Sequence, residues 1–271
     1  MTPWFQAFGL SAPPFDKDIS DEDLWLPSSK QEALSAMVQT IEERGHILLV
    51  GDSGLGKTCV LRRLRMQLPE ARFRLTYCSN ATLGRRDFYR QLCHAFRLTP
   101  KATAAAVFMA LTQQIENLQQ EKIHPVFLLD EAHLLQQEVL GHLHVLTNFA
   151  WDQKPLLSLV LVGLPELKDQ LMLRRNASLW SRIHTRIRLP EPSPQDTAEY
   201  LAHRLDKAGA KNRHIFAADT LALLHEASHG RLRELDRVAS SALRLAAKKN
   251  LDRVDRDLLI EAIERSTQGQ P

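Results

Sequence analysis

The stretch ILLVGDSGLGKTCVLRRLRMQL, Ile47–Leu68, runs from a short apolar segment through a glycine-rich turn into a helical pattern. The turn, Gly51 to Thr58, matches G-x-x-x-x-G-K-[ST] in full. Glycines let backbone N–H groups close around phosphate oxygens, and the following helix N-terminus adds a favourable dipole. In such a loop Lys57 reaches β- and γ-phosphates and Thr58 ligates Mg²⁺. Gly51, Asp52, Ser53, Gly54, Leu55, Gly56, Lys57, Thr58 and Cys59 are the candidate nucleotide contacts.

A second stretch, VFLLDE at Val126–Glu131, is an apolar strand ending in two adjacent acids. Ligands of open α/β sheets sit at the carboxyl ends of the strands. Asp130 is placed there to hold Mg²⁺, directly or through water, and Glu131 to polarise the water that attacks the γ-phosphate. The letters DEAH at 130–133 do not indicate a helicase of that name, because a helicase needs two tandem motors and one is visible here. The expected cofactors are ATP and Mg²⁺.

Working outward, five short apolar runs alternate with helical patterns: Ile47–Val50, Phe73–Cys78, Val126–Asp130, Leu157–Gly163 and Thr185–Leu189. Near-continuous Ile, Leu and Val suit strands covered on both faces, so a parallel sheet in an α/β layer fold is predicted. After residue 194 apolar residues recur at helical spacing, from Leu201 and Leu205 to Leu259 and Ile263, which predicts a helical domain of about four helices. Two proline seams, residues 11–27 and LPEPSP at 189–194, divide the chain. The reading is a leader over 1–28, a P-loop α/β domain over 29–190 and a helical lid over 191–271.

Composition is that of a globular protein: 44% hydrophobic and 25% charged over 271 residues. No apolar run approaches the ~18–20 residues of a membrane helix, and the N-terminus shows no export signal. Cys59, Cys78 and Cys93 form no C-x-x-C pair, so a reducing cytoplasm is expected. His133, His142 and His144 lack metal-ligand spacing, and no zinc is expected. The net charge of +3 is mild, but residues 61–90 hold eight Arg against Glu70 and Asp87, and residues 171–190 hold five Arg and no acid. Residues 1–30 carry five acids against Lys17 and Lys30. Clustered Arg beside an acidic leader suggests a surface that faces a polyanion, with solvated helix faces as the alternative.

Together these motifs resemble the AAA+ ATPases, and within them the ExeA-like branch that includes transposition regulators of the TnsC, TniB and IstB type. FGLSAPPF (Phe8–Phe15) is similar to that branch's leader, GDSGLGKT and LLDEAHLL to its nucleotide motifs, LVLVGLPEL to its fourth strand and HGRLRELDRVA (His229–Ala239) to its lid motif. The resemblance implies that Arg233 contacts the γ-phosphate from the lid. It also implies that SRIHTRIRL (Ser181–Leu189) presents an arginine finger to a neighbouring subunit, Arg182 first and Arg186 in reserve. A guanidinium there offsets charge developing on the γ-phosphate. Leu164 departs from the pattern: it follows Gly163 where the family carries a polar side chain, and leucine cannot orient water.

The same resemblance implies that the segment after the second strand, Ser79–Arg90, follows a DNA backbone. Gly84, Arg85 and Arg86 would face phosphates, with Lys101 and Thr103 as a second contact. Such contacts give position rather than sequence, so binding is expected to tolerate sequence and to weaken with salt. Phe88, Tyr89 and Phe96 are expected in the core. Trp4, Phe5, Phe8 and Phe15 either anchor the leader on a neighbouring subunit or pack locally. The expected function is a DNA-binding ATPase that forms a homo-oligomeric ring or filament on double-stranded DNA and recruits or activates a transposase, with a target-selection protein as a further partner and no membrane. A secretion-associated ATPase and a nucleotide-switched scaffold stay open; the first normally carries a membrane span and a cell-wall-binding region.

Overall fold

The computed structural model describes residues 3–16, 18–78, 84–99, 103–149, 154–211 and 214–268. They form two compact units. One comprises residues 28–52 and 60–189, the other residues 1–27, 53–59 and 190–271.

The first unit is the α/β layer. Its elements are α1 (Ser28–Glu42), β1 (His46–Val50), α2 (Lys57–Gln67, entering this unit at Val60), β2 (Phe73–Cys78), α3 (Arg85–Ala95), α4 (Ala104–Gln120), β3 (His124–Leu129), α5 (Gln137–Leu146), β4 (Ser158–Gly163), α6 (Glu166–Met172), α7 (Ala177–Trp180) and β5 (Ile183–Arg188). The five strands lie in the order β2-β3-β4-β1-β5, and every pairing is parallel. The five predicted runs are these five strands; Phe73–Cys78 coincides with β2 and the other four differ by one or two residues at one or both ends. Parallel pairing needs crossover helices, which cover both sheet faces. That explains why every residue of β1, β3 and β4 is buried.

The edge strands read differently. In β5, His184, Arg186 and Arg188 are exposed and alternate with buried or half-buried Ile183, Thr185 and Ile187. Charged side chains on an edge discourage pairing with a further strand. On one face of the sheet, Leu48, Phe127, Leu129 and Leu161 share a core with Phe88, Leu92, Leu111, Ile115 and Leu143 from the helices. Phe88, Tyr89 and Phe96 are core residues, as expected. Thr103 caps α4, its side-chain oxygen accepting from the Ala106 N–H at 3.2 Å.

The second unit is helical: α8 (Pro194–Lys207), α9 (Ala218–Ser228), α10 (Leu232–Lys248) and α11 (Arg256–Gln268). The proline seam at 189–194 both ends and begins structure. Pro194 is the first residue of α8, where no N–H is needed, and Ser193 and Asp196 close a reciprocal capping box at 3.1 and 2.8 Å. In α10, Leu235, Val238, Ala239, Ala242, Leu243 and Ala246 form one buried stripe at helical spacing.

The leader belongs to this helical core. Phe8, Leu10 and Phe15 are buried with Leu201, Leu205, Phe216 and Leu243. The oxygen of Ala208 accepts from both Ser11 N and Ser11 Oγ at 2.8 Å. Gly209, at φ +85°, leaves room for that approach, because a Cβ there would lie 2.9 Å from Ser11 Oγ. Buried Arg204 donates to the backbone oxygens of Pro14 (2.7 Å) and Asp16 (2.6 Å) and to the Tyr200 hydroxyl (2.7 Å). Lys207 pairs with Asp23.

Candidate functional site

In a parallel sheet all carboxyl ends lie on one edge. Here that edge carries Cys78, Asp130, Gly163 and Gly51, and Gly51 N donates to Gly163 O at 3.2 Å while Asp130 N donates to Cys78 O at 3.1 Å. The order of strands turns around β1, which has β4 on one side and β5 on the other. Such a switch point is where open α/β sheets place ligands.

Asp130 directly follows β3 and is 8% exposed. Two donors fix its carboxylate: the Tyr77 hydroxyl at 2.9 Å to Oδ2 and the Glu131 N–H at 2.9 Å to Oδ1. Tyr77 ends up pushed to about 12 by desolvation first and then by the Asp130 charge, so its hydroxyl remains a donor. Glu131 sits in the left-handed region at φ 52°, ψ 35°, an uncommon place for a side chain of this size. Its side chain is half exposed, and its Oε2 lies 3.6 Å from Nε2 of His133.

The loop stretch Ser53–Cys59 belongs to the helical unit. Gly54 and Gly56 both have left-handed backbone, φ +83° and +88°. Alternating backbone hands turn successive N–H groups toward one point, the geometry of an anion-binding nest. At Gly54 the absent side chain matters twice. A Cβ would stand 3.2 Å from Arg231 Cβ, and the Gly54 oxygen accepts from Leu232 N at 3.0 Å. That bond ties the loop to the start of α10, and Arg233 is exposed one residue further on. Lys57 is the buried first residue of α2, with Thr58 exposed beside it. Within this stretch a backbone nest, an ammonium and a hydroxyl are donors that suit the phosphates and the Mg²⁺ of a nucleotide.

The remaining predicted residues are tied more locally. Arg182 Nη1 donates to Ser178 O at 3.2 Å. Arg186 stacks over Trp180 at 3.8 Å and donates to the Trp180 oxygen at 3.1 Å. Arg85, expected on DNA, has local partners: its Nη1 lies 2.8 Å from His142 Nε2, and its backbone N–H donates to Glu138 at 2.9 Å. Burial and then the Arg85 charge lower the affinity of His142 for a proton. Gly84 is the N-cap of α3 and Arg86 is exposed on its first turn. Residues 79–83 and Lys101 lie outside the described residues. Among the described residues no group of histidines, cysteines or acids could hold a metal, and no helix is long and apolar enough to cross a membrane.

Tyr77 and His133 are the site residues that sequence reasoning missed. The signal for Tyr77 is register: β2 pairs with β3 through Tyr77↔Leu128 and Cys78↔Leu129, which brings the end of β2 beside Asp130.

A parallel sheet with these motifs at its carboxyl edge defines an AAA+ P-loop domain, and residues 39–171 match the family model of the AAA domain. The chain is 35% identical over 242 residues to General secretion pathway protein A of Aeromonas hydrophila, covering 88% of this chain and 44% of that relative. These findings make the chain similar to AAA+ ATPases of the ExeA-like branch. The chain thus spans less than half the length of this relative. Among solved structures, Drosophila ORC bound to DNA aligns with a TM-score of 0.70 at 17% identity, covering 97% of this chain and 66% of that one. The ADP form of the Aeropyrum pernix ORC2 protein aligns at 0.69 and 15%, covering 95% and 74%. At these identities the likeness is one of fold.

Proposed function

We propose that the chain binds and hydrolyses ATP with Mg²⁺ and works as an oligomer. The observation that carries this is the complete G-x-x-x-x-G-K-T loop directly after β1 in the sequence, in a chain whose sheet ends β3 with a fixed Asp130 and a neighbouring Glu131. Bound Mg²⁺ would neutralise charge developing on the phosphates. Lys57 and the loop N–H groups would hold the phosphates, Thr58 and Asp130 the ion, and Glu131 would orient and polarise the attacking water. Arg233 would reach the γ-phosphate from α10, and Arg182, or Arg186 once released from Trp180, would act on a neighbouring subunit's nucleotide. The ADP form of the A. pernix relative supports the nucleotide. Phosphate release by the purified chain, lost in Lys57→Ala, tests the reading; equal release by the variant overturns it.

The finer reading is an ATPase that assembles on double-stranded DNA in the cytoplasm and recruits or activates a transposase, alone or with a target-selection protein. Two observations favour DNA: the run of eight Arg over residues 61–90, and the Drosophila relative bound to DNA. Similarity to General secretion pathway protein A favours a second reading, an ATPase that serves secretion. Electron microscopy with an ATP analogue, with and without duplex DNA, separates them. Rings or filaments that need both ligands support the first, and particles indifferent to DNA support the second.

A further inference from the structure

His133 is gripped on three sides. Its side chain is 10% exposed. Its Nδ1 accepts from the Leu164 N–H at 3.4 Å, and its backbone oxygen accepts from Gln170 Nε2 at 3.2 Å. The ring lies against the end of β4 at Gly163, where a Cβ would stand 3.1 Å from His133 Nδ1 and 3.0 Å from Leu167 Cδ2. A side chain larger than glycine at 163 would make Leu167 and the imidazole give by a few tenths of an ångström.

That grip decides the tautomer. A ring nitrogen that accepts from an N–H carries no proton, so in the neutral ring the proton is on Nε2. Nε2 faces Glu131 Oε2 at 3.6 Å, too long for a hydrogen bond and within the closing distance that catalytic pairs cover when substrate arrives. Glu131 itself is confined at its backbone: it is left-handed, its N–H is donated to Asp130 and its oxygen accepts from Leu134 N at 2.9 Å. A backbone so confined leaves side-chain rotation as the freedom to be fixed.

We infer that His133 is the positioning residue of Glu131: it takes its orientation from the backbone at the end of β4 and turns Oε2 of the carboxylate toward Nε2–H, which leaves Oε1 for water. The inference rests on the reading of Glu131 as the water-polarising group. It gives the end of β4 a polar role through the Leu164 N–H, although the leucine side chain has none to offer.

The test compares steady-state ATP hydrolysis and binding of a fluorescent ATP analogue with Mg²⁺ in the full chain and in His133→Ala and His133→Gln. In His133→Ala, kcat falls by about tenfold or more while KM and analogue affinity hold. His133→Gln, whose amide N–H reaches the Nε2 position, recovers most of that loss. An unchanged kcat in His133→Ala, or glutamine no better than alanine, overturns the inference. A wild type that binds the analogue but releases no phosphate defeats the hydrolysis reading instead. Ring ¹H–¹⁵N correlations, with His133 identified by its loss in His133→Gln, then decide the inference. An Nε2–H tautomer whose signals move in Glu131→Gln upholds it; an Nδ1–H tautomer, or signals blind to that change, overturns it.

Discussion

The Tyr77 hydroxyl reaches across from β2 to donate to Asp130 Oδ2 at 2.9 Å, so the acid at the end of β3 is oriented by its neighbouring strand before any ion arrives. Hydrogen bonds to charged groups contribute about 1.5–3 kcal/mol, less where one partner is half exposed as Tyr77 is. Tyr77→Phe should therefore cost about 1 kcal/mol of stability by urea denaturation. It should also raise the Mg²⁺ concentration needed for half-maximal turnover, and an unchanged Mg²⁺ dependence would show that Asp130 does not need this orientation.

Glu131→Gln keeps the length of the side chain and removes its charge. Nucleotide binding should persist while turnover falls by about 10²-fold or more, and the ATP-bound oligomer should accumulate in size-exclusion profiles. Hydrolysis at the wild-type rate would remove Glu131 from the reaction.

The two neighbouring arginines at the start of α3 should separate. Arg86→Ala, on the exposed side, should weaken duplex binding and lower the salt slope by about one. Arg85→Ala should instead reduce stability, because it removes the guanidinium that meets His142. A gel-shift salt titration beside a thermal melt reads both, and equal DNA defects in the two variants would contradict the division.

Arg204 should behave as a core residue. Arg204→Leu leaves the partly buried Asp236 without its counter-charge and frees the oxygens of Pro14 and Asp16, a loss of about 2–4 kcal/mol. Limited proteolysis should then cut within residues 3–16, and a leader as resistant as in the wild type would refute the anchoring role.

Asp236 should give this unit a pH dependence. Burial raises its carboxyl to about 6, with Arg204 and the Tyr200 hydroxyl opposing. A carboxyl raised in the folded state holds its proton better there than in the unfolded chain. Its contribution is therefore complete below the ordinary carboxylate range and is lost as pH rises to about 6. Relative to Asp236→Asn, the wild type should lose ground in melting temperature across that window and change little above it; a constant difference would show that the carboxyl is not raised.

Much of this molecule is legible in its sequence, for physical reasons that differ from place to place. The central strands are readable because burial on both faces demands unbroken runs such as ILLV and LVLV, and the phosphate loop because its glycines and Lys57 have few substitutes. Tyr77 is not readable, since its partner Asp130 is 53 residues away and only strand register joins them. His133 is hidden for a related reason: its meaning depends on a backbone N–H, and every residue but proline has one. The difference between Arg85 and Arg86 is not readable either, because a paired and an exposed arginine look alike until α5 is placed beside α3. The proline seam reads as a stop, whereas Pro194 is also a start, a distinction set by the neighbouring Ser193 cap.

Ser11 and Ala208, which meet in the helical unit, are 197 residues apart in the chain. That unit is therefore interrupted by a long insertion and cannot close locally. During synthesis Phe8 and Phe15 emerge well before the helices that bury them. Until then those rings are exposed apolar surface, and the cost of closing so long a loop falls on the assembly of this unit. An N-terminal deletion would act less like trimming a tail than like pulling large side chains out of a finished interior.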